Sequence, residues 1–265
     1  MEERMQTALV TGANRGLGFE TARQLAQRGY RVLLTSRDEV AGRAAAARIL
    51  REEKAGRVEF QRLDVTDTVA IAALAKRLSD EHILVDILVN NGAVALDGFD
   101  EGVARKTIDT NFFGPLRVTD ALLPFIPDGG TIVMVSSAAG ELSILSDSLK
   151  SRYADRGLTR DALVALVGKF VEDVRRGRHG AEGWPTSAYG VSKASLNALV
   201  RIMAIELAKR KIRINAVCPG WVHTDMGGPG APRTVAQGAS SILWAALLTN
   251  DQTGGFFRDG QPIPW

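Results

Sequence analysis

Thr11-Gly12-Ala13-Asn14-Arg15-Gly16-Leu17-Gly18 follows directly on the apolar run Thr7-Ala8-Leu9-Val10. The apolar run predicts a buried strand, and the amphipathic pattern after Gly18, closed by Gly29, predicts a helix. Glycines between a strand and a helix let the backbone turn tightly and approach a pyrophosphate, whose charge the helix N-terminus favours. A plain strand–helix turn is the alternative, but the context favours a dinucleotide site.

Strands and helices then alternate along the chain. Predicted strands cover 31–35, 58–63, 85–89, 131–135 and 212–217, with a last strand and turn at 254–260. Predicted helices cover about 39–54, 67–82, 101–123 and 187–209. This alternation predicts an α/β fold with a doubly wound parallel sheet of the Rossmann type, whose ligand lies at the carboxyl ends of the strands. No repeat or linker divides the chain, so we expect a single domain over 1–265.

The end of the second predicted strand indicates which dinucleotide would bind. An NAD site usually carries an acid there to bind the ribose 2′-hydroxyl, whereas this chain reads Ser36-Arg37-Asp38. Arg37, together with Arg15 of the glycine loop, could clamp a 2′-phosphate. Asp38 suits the N-cap of the next helix better than the ribose. The pattern favours NADP over NAD.

A tyrosine and a lysine stand four positions apart in Ala188-Tyr189-Gly190-Val191-Ser192-Lys193. On a helix this spacing places both on one face. A fixed ammonium beside a phenol favours the phenolate and lowers the phenol pKa from its ordinary value of about 10. The pair alone is a weak motif, since a helix surface can carry both residues by chance.

Several motifs occur together in the order typical of one known family. These are the glycine loop, Asp64, the turn Asn90-Asn91, Asn111, Ser137 and the pair Tyr189 and Lys193. The chain resembles the short-chain dehydrogenases/reductases over nearly its whole length, and within them the monomeric carbonyl reductases. Further stretches resemble that subgroup: Phe170-Val171-Glu172-Asp173, Glu182-Gly183-Trp184-Pro185, Cys218-Pro219-Gly220-Trp221-Val222 and the final Trp265.

The resemblance implies reduction of an aldehyde or ketone by NADPH. It gives Tyr189 the role of proton donor, and Lys193 that of lowering the Tyr pKa and binding the nicotinamide ribose. Ser137 would hold the substrate oxygen, and Asn111 would place a water that resupplies the proton. Simpler readings remain open: Ser137 as a strand-end cap, and Asn111 as a helix residue bonded to backbone.

The resemblance also implies a cofactor set and a substrate pocket. The cofactor set comprises Gly12, Asn14, Arg15, Gly16, Leu17, Gly18, Arg37, Asp64, Val65, Asn91, Tyr189, Lys193, Pro219, Gly220, Val222 and Thr224. The pocket set comprises Trp221, Ala138, Ala139, Trp184 and Met226, which suggests an apolar or aromatic substrate. Trp221 could instead be ordinary loop packing.

Two features depart from the family's usual pattern. The chain reads Asn91-Gly92-Ala93 where the family usually has Asn-Ala-Gly, and a positive φ at Ala93 would strain the turn by roughly 1 kcal/mol. Ser137 and Tyr189 lie 52 positions apart, so an insertion at about 141–186 precedes the catalytic tyrosine. Its predicted helix, 159–175, carries an apolar stripe that suits core packing: Leu163, Leu166, Val167, Phe170, Val171 and Val174. If this stripe covers the contact helices of related oligomers, the protein is a monomer.

Composition bounds the partners and the compartment. The net charge is +3 and the pI about 9.2, without a basic run, which argues against nucleic acid. Cys218 is the only cysteine, which fits a reducing compartment. His82, His179 and His223 lie too far apart for a metal ligand set. We find no apolar leader in Met1-Glu2-Glu3-Arg4-Met5 and no stretch of membrane-spanning length, and expect a cytoplasmic protein.

Other functions stay open from the sequence. The same fold and residues would serve oxidation of an alcohol or reduction of an activated double bond. A sensor or scaffold that binds NADP(H) without turnover is a rival of another class. The complete set of Asn111, Ser137, Tyr189 and Lys193 argues against the sensor, because mere binding needs no tuned acid.

Overall fold

The computed structural model describes residues 4–53 and 57–265. The strands are β1 (Thr7–Val10), β2 (Arg31–Ser36), β3 (Arg57–Arg62), β4 (Ile87–Asn90), β5 (Thr131–Val135), β6 (Arg213–Val217), β7 (Phe256–Arg258) and β8 (Gln261–Pro262). The helices are α1 (Gly16–Gln27), α2 (Glu39–Glu52), α3 (Thr68–Asp80), α4 (Glu101–Ile108), α5 (Gly114–Leu122), α6 (Asp147–Ala154), α7 (Arg160–Arg175), α8 (Ala188–Glu206) and α9 (Val235–Ala246). The predicted helix end at 54 and the first three residues lie outside the described part.

The strands form one sheet in the order β3-β2-β1-β4-β5-β6-β7-β8. Pairing is parallel from β3 through β7, and only β8 runs antiparallel, against β7. The strand order reverses between β1 and β4, so a crevice opens there at the carboxyl ends of the strands. The predicted doubly wound α/β fold is confirmed.

Side-chain alternation along the strands builds a core on each face of the sheet. In β1, Ala8 and Val10 belong to one apolar cluster and Leu9 to the other. The first cluster lies beneath α1, α2 and α9, and the second beneath α3, α5 and α8. A strand buried on both faces has to be apolar throughout, which is why β1 reads as a continuous apolar run.

Helix starts follow the polar caps in the sequence. The Asp38 carboxylate accepts from the Ala41 N–H at 2.9 Å, which confirms Asp38 as an N-cap. The Thr159 hydroxyl likewise accepts from Ala162 at the start of α7. Thr234 and Gln237 form a reciprocal capping box at the start of α9, a helix absent from the predicted set.

The single helix predicted for 101–123 is interrupted. A π-helical turn over Asp109–Phe113 separates α4 from α5, and it contains Asn111. Such turns are rare and often mark functional sites. Gly114 follows the turn because a side chain there would stand 2.7 Å from Val65 Cγ2.

The insertion contains two helices, α6 and α7, where the sequence predicted one. Helix α7 packs against α4 and α8. Its stripe is buried, as predicted, with only Val171 partly exposed: Leu163, Leu166, Val167, Phe170 and Val174. The insertion therefore shares the core of the main fold.

Over 4–53 and 57–265, no helix has the length and apolar character needed to cross a bilayer. Within the same ranges, no group of three or more His, Cys, Asp or Glu side chains has the spacing to hold a metal ion.

Candidate active site

Most of the predicted site residues lie together at the carboxyl ends of the parallel strands. Asn91 follows β4, Ser137 follows β5 and Cys218 follows β6, and parallel pairing brings these strand ends side by side. The glycine loop follows β1 at the same end of the sheet. The other predicted cofactor residues lie along it too: Asn14 in the glycine loop, Val65 after β3, and Pro219, Gly220 and Val222 after β6.

The glycine loop packs so closely on its neighbours that side chains are excluded. Gly12 and Gly16 have φ of +62° and +55°, in the left-handed region. A Cβ on Gly12 would lie 2.8 Å from Gly92 Cα, and one on Gly18 would lie 2.5 Å from Asn91 Nδ2. The Asn91 amide donates to the carbonyls of Thr11 and Gly12 at 2.8 and 3.1 Å, which holds the loop against β4.

The N-terminus of α1 has the character of an anion site. Its N-cap, Arg15, makes no side-chain capping bond, and the first turn contains no acidic residue. The first N–H groups therefore face outward with the positive end of the helix dipole. A cradle of glycines beside an uncapped helix N-terminus fits the pyrophosphate of a dinucleotide.

The two arginines expected at a 2′-phosphate do not act as a pair here. Arg37 is exposed and, within the described residues, has neither an ion pair nor a hydrogen bond. Arg15 instead contacts Asp225 at 2.6 Å. Both members of that bridge are about 70% exposed, so it contributes about 1 kcal/mol or less. Arg37 is the free cation at the end of β2 in the described chain.

Asp64, at the end of β3, is an ionised acceptor. Burial would raise the pKa of its carboxyl, but hydrogen bonds from the Thr66 N–H and hydroxyl outweigh it, with help from the charges of Arg37 and Arg62. The net pKa lies below the ordinary value. A carboxylate at this position can accept from an adenine amine.

Tyr189 and Lys193 face the same crevice from the first turns of α8. The Lys193 ammonium lies 5.5 Å from the centre of the Tyr189 ring and donates to the Val135 carbonyl at 2.8 Å. Burial lowers the pKa of Lys193 to about 8. Burial also raises the pKa of Tyr189, the direction opposite to the prediction, because loss of water disfavours the phenolate more than its surroundings favour it.

Ser137 has two roles in the structure. Its hydroxyl accepts from the Ala139 N–H at 3.2 Å and so caps the short turn after β5. Its side chain also lies close enough to the Tyr189 phenol to lower the Tyr pKa, against the larger effect of burial. The strand-end cap and the proximity to the phenol therefore coexist.

Asn111 is fully committed to its neighbours through its side chain. Its Oδ1 accepts from the Val94 N–H, and its Nδ2 donates to the Val94 carbonyl, both at 2.8 Å. The same amide donates to Ser192 on α8 at 3.1 Å. Asn111 thus ties the segment after β4 to α8.

Of the five predicted substrate residues, four are exposed or partly exposed and one, Trp184, is buried. Ala139, Trp221 and Met226 are exposed, and Ala138 is partly so. The Trp221 indole donates to the Gly227 carbonyl at 2.8 Å, which fixes the ring although 60% of its surface is exposed.

The assignment of Trp184 to the pocket is not supported by its position. It is only 4% exposed and packs against Phe170 and Tyr153 inside the insertion. Its indole N–H needs a partner when buried and donates to Asp173 at 3.0 Å. Trp184 therefore holds the insertion together.

The departure at Gly92 and Ala93 leaves no strain. Ala93 is not among the described residues of positive φ, so the predicted cost is absent. Thr11 is the residue here that the sequence reasoning missed: its hydroxyl accepts from the N–H groups of Asn91 and Gly92, both at 2.9 Å. A threonine directly before a glycine turn was the available signal.

Comparisons with known proteins agree with this geometry. Residues 6–149 match the family described as short chain dehydrogenase, and residues 177–252 match one described as enoyl-(acyl carrier protein) reductase. Carbonyl reductase (NADPH) 1 of Bos taurus is 40% identical over 272 residues, covering 97% of this chain and 98% of that protein. The solved structure of salutaridine reductase from Papaver somniferum aligns with a TM-score of 0.87 at 30% identity, over 96% of this chain and 99% of that one. Menthone neomenthol reductase from Mentha piperita aligns with a TM-score of 0.83 at 30% identity, over 98% and 100%.

Proposed function

The chain belongs to the short-chain dehydrogenase family, and on that premise we propose that it reduces an aldehyde or ketone to the alcohol with NADPH. The observation that carries the proposal is the partly buried Tyr189 with the buried Lys193, beside Ser137, at the end of the sheet where the glycine loop lies. The full-length similarity to a protein named as an NADPH carbonyl reductase supports the same substrate class.

NADPH, when bound, supplies the hydride. The uncapped N-terminus of α1 and the glycine cradle would hold its pyrophosphate. Lys193 spends one N–H on the Val135 carbonyl, which leaves two donors for the hydroxyls of the nicotinamide ribose. Thr224, whose Cγ2 would lie 3.5 Å from a Cβ on Gly16, closes the crevice from the opposite side.

Tyr189 is the general acid in this proposal. A phenol whose pKa is raised by burial keeps its proton across the physiological range, so it is ready to donate to the developing alkoxide. Ser137, close to the phenol, would hold the same oxygen with its hydroxyl as a neutral donor. Asn111 would fix α8 against the segment after β4, and a water beside it would resupply the proton through Lys193.

Oxidation of an alcohol by the same residues is the reverse reaction, in which Tyr189 would act as the phenolate base. Reduction of a double bond is the second candidate, because residues 177–252 match a family described as a reductase of enoyl substrates. The carbonyl reductase similarity spans the whole chain, whereas that match spans only the second half.

The function is tested with Tyr189→Phe and a panel of quinones, aromatic ketones, aldehydes and enones. Wild type should consume NADPH with the carbonyl compounds, and the variant should lose about 100-fold or more in kcat while still binding NADPH. Tyr153→Phe is the matched control, since the buried Tyr153 hydroxyl pairs with Ser195 on α8. Near wild-type reduction by Tyr189→Phe would remove it as the acid, and enone turnover alone would favour the second candidate.

We propose that Arg37 sets the preference for NADPH over NADH. Its exposed guanidinium at the end of β2, which has no partner among residues 4–53 and 57–265, is available for a charge-assisted contact with the 2′-phosphate, worth about 1.5–3 kcal/mol. Arg37→Asp should therefore weaken NADPH binding by about tenfold or more and leave NADH binding unchanged or improved. Fluorescence titration of both cofactors gives the two constants. Equal affinities in the wild type would contradict the assignment.

A further inference from the structure

The segment 219–234 is here named the β6 loop. It carries Thr224 and two exposed apolar residues, Trp221 and Met226, and it contains no helix. Its two ends meet in a narrow neck. The His223 N–H donates to the Arg233 carbonyl at 2.8 Å, and the Arg233 N–H donates to the Trp221 carbonyl at 3.2 Å. An isolated parallel bridge joins Val222 to Arg233 at this point. The residues between them are tied to the rest of the chain at this neck and through the exposed pair of Arg15 and Asp225.

The side chain of Arg233 closes the neck from the side of the C-terminus. Its guanidinium contacts both carboxylate oxygens of Asp259 at 2.8 and 2.6 Å and donates to the Gln237 carbonyl at 3.1 Å. The aliphatic part of the Arg233 side chain lies against Gly220, where a Cβ would come within 2.4 Å of Arg233 Cδ. The hydrogen bond to Arg233 lowers the pKa of Asp259, so the pair stays charged at neutral pH.

Asp259 is itself held rigidly. It lies in the turn of the β7–β8 hairpin with a φ of 50°, a left-handed conformation that Asp tolerates better than most residues. Its N–H donates to the Ser241 hydroxyl on α9 at 2.7 Å. The preceding Phe257 carbonyl accepts from the Cys218 N–H at 2.8 Å, just before the β6 loop. The β7–β8 hairpin thus contacts the chain both before and after the β6 loop.

We propose that Asp259 is a positioning residue: through its bidentate pair with Arg233 it fixes the neck of the β6 loop and so the placement of Trp221 and Thr224 at the reaction crevice. The anchoring rests on the contacts above. Its consequence for turnover rests on the proposed function, because that assigns Trp221 and Thr224 to substrate and cofactor.

An ordinary stabilising ion pair is the competing explanation, and the chain contains a matched control for it. Arg160 contacts Asp120 far from the β6 loop, with side chains 24% and 44% exposed, against 25% and 47% for Arg233 and Asp259. Arg160 also pairs with Glu206, so loss of Asp120 should cost no more stability than loss of Asp259. Only loss of Asp259 should loosen the loop.

The first measurement is hydrogen exchange on the cofactor-free protein, followed by mass spectrometry of peptides covering 219–234. Asp259→Asn should speed exchange in these peptides by about fivefold, the factor that corresponds to loss of a pair of this kind, whereas Asp120→Asn should not. Asp259→Gly removes the same carboxylate and accepts the left-handed backbone, so it should give the same acceleration even if Asn folds poorly. Unchanged exchange in both Asp259 variants, or equal acceleration in Asp120→Asn, overturns the proposal.

The second measurement is steady-state kinetics with a ketone that the wild type reduces. Asp259→Asn should raise KM for the ketone by about threefold to tenfold and change kcat by less than about twofold, because the acid and its neighbours stay in place. Arg233→Lys, which keeps a charge but loses the bidentate geometry, should fall between wild type and Asp259→Asn. A fall in kcat of about threefold to tenfold with KM unchanged would contradict a positioning role for Asp259. If no carbonyl is reduced, the proposed function fails, and the exchange result still decides the anchoring.

Discussion

At the scale of single residues, the site contains a buried ammonium group that lowers the stability of the folded protein. Lys193 is 2% exposed, and its pKa falls from 10.5 to about 8 because burial disfavours the charge. At about 1.4 kcal/mol per unit, this depression costs the folded protein about 3 kcal/mol below pH 8. A residue kept at such a cost is one that binding or chemistry requires.

Lys193→Met is therefore expected to stabilise the free protein at pH 7 while removing activity. The gain should be about 1–2 kcal/mol, since loss of the bond to the Val135 carbonyl offsets part of the relieved cost. A depressed lysine pKa penalises the folded state fully below the folded pKa, so the gain should be complete below pH 8 and fade as pH rises toward 10.5. Denaturant unfolding at pH 7 and pH 10.5 measures it.

The control for this prediction is Lys76→Met, which alters an exposed lysine paired with Asp80. Its stability should change by less than about 0.5 kcal/mol at either pH. A Lys193→Met protein that is less stable than wild type at pH 7 would show that the ammonium is compensated in the free protein.

At the scale of the element, the glycine loop and the turn after β4 form one packed unit. Gly12 needs its positive φ and touches Gly92, whereas Gly92 itself has no positive φ. A Cβ on Gly92 would meet Thr11 Oγ1 at 3.4 Å, an ordinary contact. The order of the small residues at 92 and 93 is thus free, while the glycine at 12 is required.

Gly92→Ala should accordingly be neutral or stabilise the protein by about 0.4–1 kcal/mol, because the unfolded chain loses freedom without strain in the folded one. Gly12→Ala is the matched contrast: it should destabilise by more than about 1 kcal/mol and weaken NADPH binding. Thermal unfolding and cofactor titration of the two variants provide the comparison. A larger loss for Gly92→Ala than for Gly12→Ala would refute this account of the turn.

At the scale of the whole molecule, the insertion determines which helices remain available. Helix α7 covers α4 and α8 with its buried apolar stripe, and Asp173 ties it to the following segment through Arg178 and Trp184, with Lys169 of α7 as a third donor. Asp173 is a carboxylate of zero side-chain exposure with three donors, which is the condition for burying such a charge. The insertion is therefore a fixed part of the core.

We expect a monomer, because a second chain would need the surface that α7 occupies. Light scattering at low micromolar concentration should give a mass near 28.5 kDa. Deleting the insertion should expose a broad apolar face and cause association or aggregation. A stable dimer or tetramer of the intact protein would show that contact uses another surface.

The sequence by itself determined the fold and the composition of the site. The apolar run before the glycine loop, the alternation of strands and helices and the order of the motifs predicted the sheet, and parallel topology then required the strand ends to meet. Local signals suffice for these features because burial on both faces and tight turns restrict the residues permitted at each position. The capping box at Thr234 was equally local, and α9 was predictable from it.

Only the tertiary structure decided which groups are dehydrated and which distant segments meet. The raised Tyr189 pKa, the burial of Trp184 on Asp173 and the anchoring of Arg233 by Asp259 all depend on contacts between segments remote along the chain or on water excluded by packing. The π-helical turn at Asn111 likewise joins α8 through Ser192, 81 positions away. Spacing and composition carry no record of such contacts, since desolvation and long-range pairing exist only once the chain has closed around them.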